Sequence, residues 1–309
     1  MEKQQKRIEV LGFDSGWGCK DYGCEDGPYA LSSALMMHDL ARLGLSAKWR
    51  GPLGLKKLGE HDRRNTKERT LPLLKTSLER LFNTVQISVE NGHIPVVIGG
   101  DHSSAIGTWS AVVTAKDAHE DFGMIWIDAH LDAHTHETSS EGKWGGWWHG
   151  QPVSALTGHG LPTFTGLGGT KTKISPEHLS LIGIRSFEPS EKAFVEERNI
   201  RVYYIEEVEE RGFQTVFDEA LARAQQATKG FGISIDLDGF CPDDAPAVGT
   251  LEEGGLLARD VLPVLRGLAQ QDGFSALEIA EFNPHNDING QTRRLIEKLI
   301  NSIFSNAGR

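Results

Sequence analysis

Cysteine is scarce in this 309-residue chain, which holds only Cys19, Cys24 and Cys241. A small and odd number of thiols does not support a disulfide framework, and it favours a reducing compartment. We therefore expect a cytoplasmic protein in which Cys19 and Cys24 are free thiols, with a local disulfide between them as the alternative. Cys241 is expected to be a small, buried apolar residue.

Long apolar runs and basic runs are also missing. No segment reaches the roughly 18 apolar residues that a transmembrane helix needs, and no apolar stretch of signal length follows the charged residues 1–7. The 32 Lys and Arg residues are outnumbered by 43 Asp and Glu, which gives a net charge of -11. Because nucleic acids and anionic membranes select basic surfaces, we expect neither as a partner.

The composition is otherwise that of a globular protein, with 39% apolar and 24% charged residues. Short apolar runs alternate with segments of helical period, which predicts a three-layer α/β fold with a mostly parallel sheet. No linker or repeat interrupts the pattern, so we expect one domain over 1–309. The predicted strands are 8–13, 94–100, 122–130, 178–186, 202–205, 231–240 and 275–282. The predicted helices are 27–45, 70–92, 103–117, 208–228, 259–271 and 290–304. Residues 132–175 are expected to form a long functional loop.

Ionisable residues cluster at the ends of four predicted strands. His102 follows one of these strands and Glu281 ends another. Asp128, His130 and Asp132 alternate along the third strand end, and Asp236 and Asp238 alternate along the fourth. Alternate residues of a strand point to the same side, so these side chains are expected to converge. Packed carboxylates need either protons or a cation among them. The oxygen and nitrogen donors favour Mn²⁺ over Zn²⁺, and six candidate ligands suit two metal ions.

Seven motifs in order resemble the ureohydrolases, the arginase/agmatinase family, and the resemblance covers nearly the whole chain. Three of them are similar to the metal-binding signatures of that family: GGDHS (99–103), DAHLD (128–132) and SIDLDGF (234–240). The others are GCEDGP (23–28), HGQPVSAL (149–156), PAVGTLEEGGL (246–256) and EFNP (281–284). The last strand end resembles the arginase version, so an arginase-like fold is expected.

The resemblance implies a binuclear manganese centre with two Mn²⁺ per subunit. One ion would be held by His102, Asp128, Asp132 and Asp236. The other would be held by His130, Asp128, Asp236 and Asp238, so that Asp128 and Asp236 bridge the two ions.

The resemblance also implies the reaction and the residues that carry it. On that resemblance, a hydroxide shared by the metals would attack the guanidinium carbon, and the products would be urea and an amine. Asp132 holds this nucleophile and accepts its proton. Glu281 pairs with the guanidinium group, for which a carboxylate is suited, and His149 relays a proton to the leaving amine.

Substrate choice is less defined, because the loop after the second metal motif departs from the arginase pattern. His134 stands where arginases place an Asn that holds the α-carboxylate of arginine. Glu188 stands where they place an acid near the α-amino group. His134, His136 or Lys143 could bind the carboxylate instead. Trp144, Trp147 and Trp148 have no match in that pattern, and packing is the simpler role for them.

These features favour hydrolysis of L-arginine to L-ornithine and urea. Agmatine or another guanidino acid, such as guanidinobutyrate or guanidinopropionate, is the alternative small-molecule substrate. More distant alternatives are a catalytically silent regulatory subunit and a metal-dependent deacetylase of related fold. The resemblance implies a homo-oligomer, either a trimer or a hexamer.

Overall fold

The computed structural model describes residues 7–20, 23–31, 34–55, 67–139 and 146–305. These residues form eight strands in one parallel sheet, in the order β2-β1-β3-β8-β7-β4-β5-β6. The strands are β1 (Arg7–Gly12), β2 (Ser46–Pro52), β3 (His93–Ile98), β4 (Gly123–Ile127), β5 (Leu179–Ile184), β6 (Arg201–Tyr204), β7 (Phe231–Asp236) and β8 (Phe274–Ala280).

Helices cover both faces of the sheet. They are α1 (Gly27–Leu31), α2 (Ala34–Arg42), α3 (Lys67–Glu90), α4 (Ser104–Ala115), α5 (Pro152–Leu156), α6 (Pro162–Thr165), α7 (Pro189–Glu197), α8 (Ile205–Arg211), α9 (Phe213–Ala224), α10 (Ala258–Val264) and α11 (Gln291–Phe304). Among the described residues, no helix combines the length and the apolarity that crossing a membrane requires.

Alternation along the buried strands divides the core into two layers. In β4, Ile125 and Ile127 pack into one hydrophobic cluster, which also contains Leu295 of α11. Trp126, which lies between them, packs into the other cluster together with Leu78 of α3. Successive side chains of a strand point to opposite faces, so a strand covered on both sides is apolar at every position. The prediction of a three-layer fold with a parallel sheet is confirmed.

Strand β2 was not predicted. It lies at the edge of the sheet, where most of its side chains are exposed or half-exposed. Its sequence, SAKWRGP, contains Gly51 and Pro52, and it has no apolar run. An edge strand needs neither a continuous apolar run nor a full set of backbone donors, so the signal that identified the central strands is absent here.

Three long segments differ in the structure from their predicted bounds or type. The expected helix 208–228 is part of α8 and α9, which are separated by Gly212 at φ 81°. The expected helix 27–45 corresponds to the described residues of α1 and α2, and it ends at Arg42, three residues before the predicted end. Residues 132–175 are not one irregular loop, because Pro152 and Pro162 begin the short helices α5 and α6. Proline is well suited to the first turn of a helix, where its missing N–H costs no hydrogen bond.

The three cysteines are free thiols, which confirms the prediction for Cys19 and Cys24. Both of these are buried. Cys241 is only half-buried, so its prediction as a buried residue is wrong. The physical reason is its place at the start of a loop after β7, where the next three residues are also exposed or half-exposed.

Candidate active site

Four neighbouring strands bring ionisable side chains to one edge of the sheet. In sheet order these strands are β3, β8, β7 and β4. His102 follows β3, Glu281 follows β8, Asp236 ends β7 and Asp128 follows β4. Because the strands are parallel, their carboxyl ends meet at this edge, which is where ligands bind in such sheets.

One group of candidate ligands surrounds the His102 ring. Its Nδ1 atom lies 3.2 Å from Asp128 Oδ2, 3.1 Å from Asp132 Oδ2 and 3.0 Å from Asp236 Oδ2. All four side chains are buried or nearly so. The distances allow His102, Asp128 and Asp132 to direct one atom each at a single metal ion.

A second group of candidate ligands shares Asp128 with the first. His130 Nδ1 lies 3.2 Å from Asp238 Oδ2 and 3.5 Å from Asp128 Oδ1. The two oxygens of Asp128 therefore face different histidines, and they also accept hydrogen bonds from Trp126 Nε1 at 2.9 Å and from the His130 backbone N–H at 2.6 Å, so a bridging role for Asp128 stays a prediction. Asp236 Oδ1 accepts a hydrogen bond from the backbone N–H of Asp238 at 2.9 Å, so a bridging role for Asp236 stays a prediction.

A buried network fixes the orientation of the His102 ring. Ser234 Oγ donates its only hydrogen to Glu278 Oε2 at 2.8 Å, and it lies 3.0 Å from His102 Nε2. Ser234 must then accept a hydrogen bond from Nε2–H. In the neutral ring this leaves the Nδ1 lone pair directed at the three aspartates, which is the tautomer that a metal ion needs.

The electrostatics of the cluster favour a bound cation. Burial raises the pKa of Asp132 to about 6. Burial and the neighbouring Asp238 and Asp128 raise the pKa of Asp236 well above its usual value. Burial opposes charge on His102, yet the three surrounding carboxylates raise its pKa well above the usual value. The cluster therefore holds protons that a divalent cation would displace.

Two buried atoms without a hydrogen-bond partner indicate where that cation would bind. His102 Nδ1 and Asp132 Oδ2 are buried, and neither makes a hydrogen bond to a described residue. Buried polar atoms are nearly always satisfied, so two unsatisfied atoms 3.1 Å apart need a shared partner. The set of imidazole nitrogens and carboxylate oxygens fits Mn²⁺.

Glu281 and His149 form a pair beside these ligands. Glu281 Oε1 accepts hydrogen bonds from the His102 backbone N–H at 2.8 Å and from His149 Nδ1 at 3.1 Å. Burial would raise the pKa of Glu281, but His149 and the other donors lower it. Burial opposes charge on His149, whereas Cys19 and Glu281 raise its pKa well above the usual value. The pair is therefore an ionised carboxylate next to a proton-carrying imidazole.

Two of the candidate catalytic residues have an unusual backbone conformation. Asp132 has φ 48° and Glu281 has φ 64°, in the left-handed region that residues with a Cβ rarely adopt. Such conformations cost about 1–3 kcal/mol and persist only where the surrounding structure enforces them. Here the Glu281 N–H donates to Gly100 O at 2.9 Å, and the Asp132 carbonyl accepts from the Val153 N–H at 3.0 Å.

A cavity opens at the candidate metal ligands His130, Asp132, Asp236 and Asp238. Its opposite side, called the far wall below, contains His134 and Glu188, which were predicted to contact the amino-acid end of the substrate. They line the cavity together with Trp147, Glu191 and His149. His134 Nε2 lies 3.1 Å from Glu188 Oε2 and 3.5 Å from Glu191 Oε2. The imidazole of His134 is therefore held between two carboxylates. Sequence reasoning missed Glu191, although its position three residues after Glu188 is the spacing of a helix capping box.

The other residues of the altered loop lie in different environments. His136 is exposed, and the cavity lining does not include it. Trp148 is buried, and its indole N–H donates to Lys67 O and Thr70 Oγ1, each at 3.0 Å, so it has a packing role. Lys143 and Trp144 lie outside the described residues.

Sequence reasoning also missed residues that contact the predicted ligands. Glu252 Oε1 lies 3.6 Å from His130 Nε2, and Cys24 Sγ donates to Glu281 Oε2 at 3.2 Å. Glu278 supports His102 through Ser234. The sequence did contain a signal for Glu278, which is a glutamate inside the apolar run SALEIAEF. A buried glutamate is rarely without partners, so this position predicts a polar network in the core.

Comparisons with known proteins agree with this geometry. A family model described as the Arginase family matches residues 6–305. The arginase of Bacillus caldovelox is 37% identical over 300 residues, which cover 97% of this chain and 98% of that protein. The arginase of Brevibacillus brevis is 32% identical over 299 residues, or 97% and 98% of the two chains. The crystal structure of arginase from Bacillus cereus matches with a TM-score of 0.88 and 31% identity, over 99% of this chain and 100% of that one.

The chain belongs to the arginase family. The resemblance to ureohydrolases and the arginase-like fold are both confirmed by these matches. Membership of the arginase family does not by itself identify the substrate of this chain.

Proposed function

We propose that this chain hydrolyses L-arginine to L-ornithine and urea at a centre that holds two Mn²⁺ ions. The observation that carries the proposal is the pair of ligand groups that share Asp128, with the Glu281 carboxylate beside them. His102, Asp128, Asp132 and Asp236 would hold one ion. His130, Asp128, Asp236 and Asp238 would hold the other. The ions supply a strong nucleophile at neutral pH by lowering the pKa of water.

The chain's own side chains orient the substrate and move protons. Glu281 is ionised and fixed by His102 and His149, so it offers a planar carboxylate to the planar guanidinium group. Asp132 would hold the nucleophile and accept its proton, as the family resemblance implies. His149 is the group that can deliver a proton to the leaving amine.

The far wall supports binding of the substrate's other end. Glu188 lies beside His134 on the cavity wall, where it can accept hydrogen bonds from an α-amino group. Binding of an α-carboxylate by His134 requires its imidazole to leave the contacts with Glu188 and Thr138. Agmatine and guanidino acids are the alternative substrates, since each offers only one of these two end groups.

The decisive experiment is urea release by the Mn²⁺-loaded protein with L-arginine, agmatine, 4-guanidinobutyrate and 3-guanidinopropionate in parallel. We expect L-arginine to give the highest kcat/KM. A higher kcat/KM for another of these compounds would identify that compound as the substrate and leave the proposed type of reaction unchanged. No urea from any of them, with metal confirmed in the protein, would contradict the proposed activity.

Asp128→Asn provides the test of the metal centre. It removes a charge from the carboxylate that both ligand groups share, so metal and urea release should be lost together. Asp218→Asn, on the exposed face of α9, is the matched control and should retain both. A fully active Asp128→Asn protein without metal would contradict the binuclear mechanism.

We also propose that the chain assembles into a trimer or a hexamer, as its family resemblance implies. Light scattering of the purified protein tests this assembly, and a monomer at micromolar concentration would contradict it.

A further inference from the structure

The proposed reaction does not use Cys24, although this residue touches its central carboxylate. Cys24 lies in the short 3-10 helix Cys24–Asp26 and is 2% exposed. Its sulfur lies 3.2 Å from Glu281 Oε2, across 257 positions of the sequence. The two hydrogen bonds from His102 and His149 both go to the other oxygen, Oε1. Cys24 is therefore the donor that acts on Oε2.

The surroundings of Cys24 hold its thiol at this oxygen. A Cβ added at Gly249 would collide with Glu281 Oε2 and would lie 3.1 Å from Cys24 Sγ. The backbone at Gly249 therefore packs directly against both groups and leaves the thiol little freedom to turn elsewhere. Burial and the charge of Glu281 raise the pKa of Cys24 well above its usual value, so at neutral pH the group keeps its S–H donor.

The backbone of Glu281 is strained, and its carboxylate has a separate rotational freedom that other contacts must restrict. With φ 64° the residue is held in the left-handed region, and strained residues persist only when several contacts fix them. A carboxylate fixed at Oε1 alone could rotate about its last bond, since that torsion is broad. A second donor at Oε2 removes this freedom.

We propose that Cys24 is a positioning residue, whose S–H group holds the Glu281 carboxylate in the plane that binds the guanidinium group. This inference rests on the proposed function of Glu281 as the guanidinium contact. A thiol is a weak donor, so it fixes the carboxylate and leaves most of the charge on Oε2 available to the substrate.

Two substitutions separate hydrogen bonding from packing. Cys24→Val keeps an apolar group of similar size but has no donor, whereas Cys24→Ser keeps a donor. We expect the KM for the substrate to rise about tenfold in Cys24→Val, with kcat changed less than about threefold, which corresponds to a loss of about 1.4 kcal/mol in binding. Cys24→Ser should restore KM to within about threefold of the original protein.

The control is Cys241→Val, the same change at a half-buried thiol outside the Glu281 contacts. It should leave KM, kcat and metal content unchanged. Equal losses in Cys24→Val and Cys24→Ser would show that Cys24 acts through packing, and an unchanged KM in Cys24→Val would also overturn the proposal.

Infrared spectroscopy gives a readout that does not depend on turnover. The S–H stretching band that disappears in Cys24→Ser belongs to this thiol, and it should move to higher wavenumber in Glu281→Gln because a neutral amide accepts more weakly. A band that ignores Glu281→Gln would refute the contact. If the original chain releases no urea but its S–H band still moves in Glu281→Gln, the contact between Cys24 and Glu281 is supported and only the proposed function fails.

Discussion

The buried Glu278 side chain offers the sharpest test of how the site is supported. It is 0% exposed in the middle of β8 and accepts four hydrogen bonds. Ser104 Oγ and Thr108 Oγ1 donate to Oε1 at 2.6 and 3.0 Å, and Trp109 Nε1 and Ser234 Oγ donate to Oε2 at 2.9 and 2.8 Å. Glu278→Leu removes every acceptor, whereas Glu278→Gln keeps one oxygen.

The size of the effect depends on which donors can find a new partner. Ser104 and Thr108 lie in α4, where a hydroxyl can turn to a carbonyl of the preceding turn. Trp109 Nε1 can only donate, so it is left unsatisfied, whereas Ser234 can turn its hydroxyl to His102 Nε2. A buried unsatisfied donor costs about 1–3 kcal/mol. We therefore expect Glu278→Leu to lose about 1–3 kcal/mol from a total stability of about 5–15 kcal/mol.

The Gln variant is the matched control for this loss. Its amide oxygen can face Trp109 and Ser234, while its NH₂ group donates to the two hydroxyls, which can accept. We expect a loss of about 1 kcal/mol. Because Ser234 keeps its acceptor, the His102 ring keeps its tautomer. In Glu278→Leu, Ser234 is free to donate to His102 Nε2, which would leave the proton on Nδ1.

Two measurements check this reasoning. Urea-induced unfolding gives the free energy of each variant, and chelator competition at fixed pH gives its Mn²⁺ affinity. We expect the affinity to fall about 10- to 100-fold in Glu278→Leu and by much less in Glu278→Gln. If Glu278→Leu is as stable as the original chain and binds Mn²⁺ equally well, the hydrogen-bond network neither stabilises the fold nor orients His102.

Three further perturbations have defined outcomes. Asp236→Asn should lose bound metal and urea release together, as metal analysis beside the activity assay would show; retained metal would mean that Asp236 is not a ligand. His149→Ala should lower kcat while metal content stays unchanged, and an unchanged kcat would remove His149 from proton transfer. Lys173→Met should reduce stability by about 1–3 kcal/mol in thermal unfolding, because the buried ammonium donates to three backbone carbonyl groups; a gain in stability would contradict this account.

Sequence patterns predicted the central strands because burial on both faces forces apolar side chains at every position. The runs around Val97, Trp126 and Ile235 have this property, and all three residues are 0% exposed. The edge strand β2 has one exposed side, so its sequence carries no such constraint. The break between α8 and α9 depends on one glycine at positive φ, and a helical period alone does not locate it.

The predicted metal ligands come together in the structure because two simple rules act on them. Parallel topology is one rule, and it places the ends of β3, β7 and β4 at one edge of the sheet. Alternation is the other, and it accounts for Asp128 and His130 but not for Asp132, whose backbone is left-handed at φ 48°. The supporting residues obey neither rule. Glu252 and Cys24 reach the site from loops, and only the folded chain brings them to His130 and Glu281.

The substrate end of the site shows why ligand motifs do not determine specificity. His134 lies two residues after Asp132, yet its ring faces Glu188 and Glu191, which belong to the segment that follows β5. The side chains that a substrate meets there come from two separate segments, and no single motif contains all of them. A change at His134 can therefore alter which guanidino compound binds while His102, Asp128 and Glu281 stay in place. The choice between L-arginine and agmatine therefore depends on these side chains, whereas hydrolysis of a guanidino group is supported by membership of the arginase family.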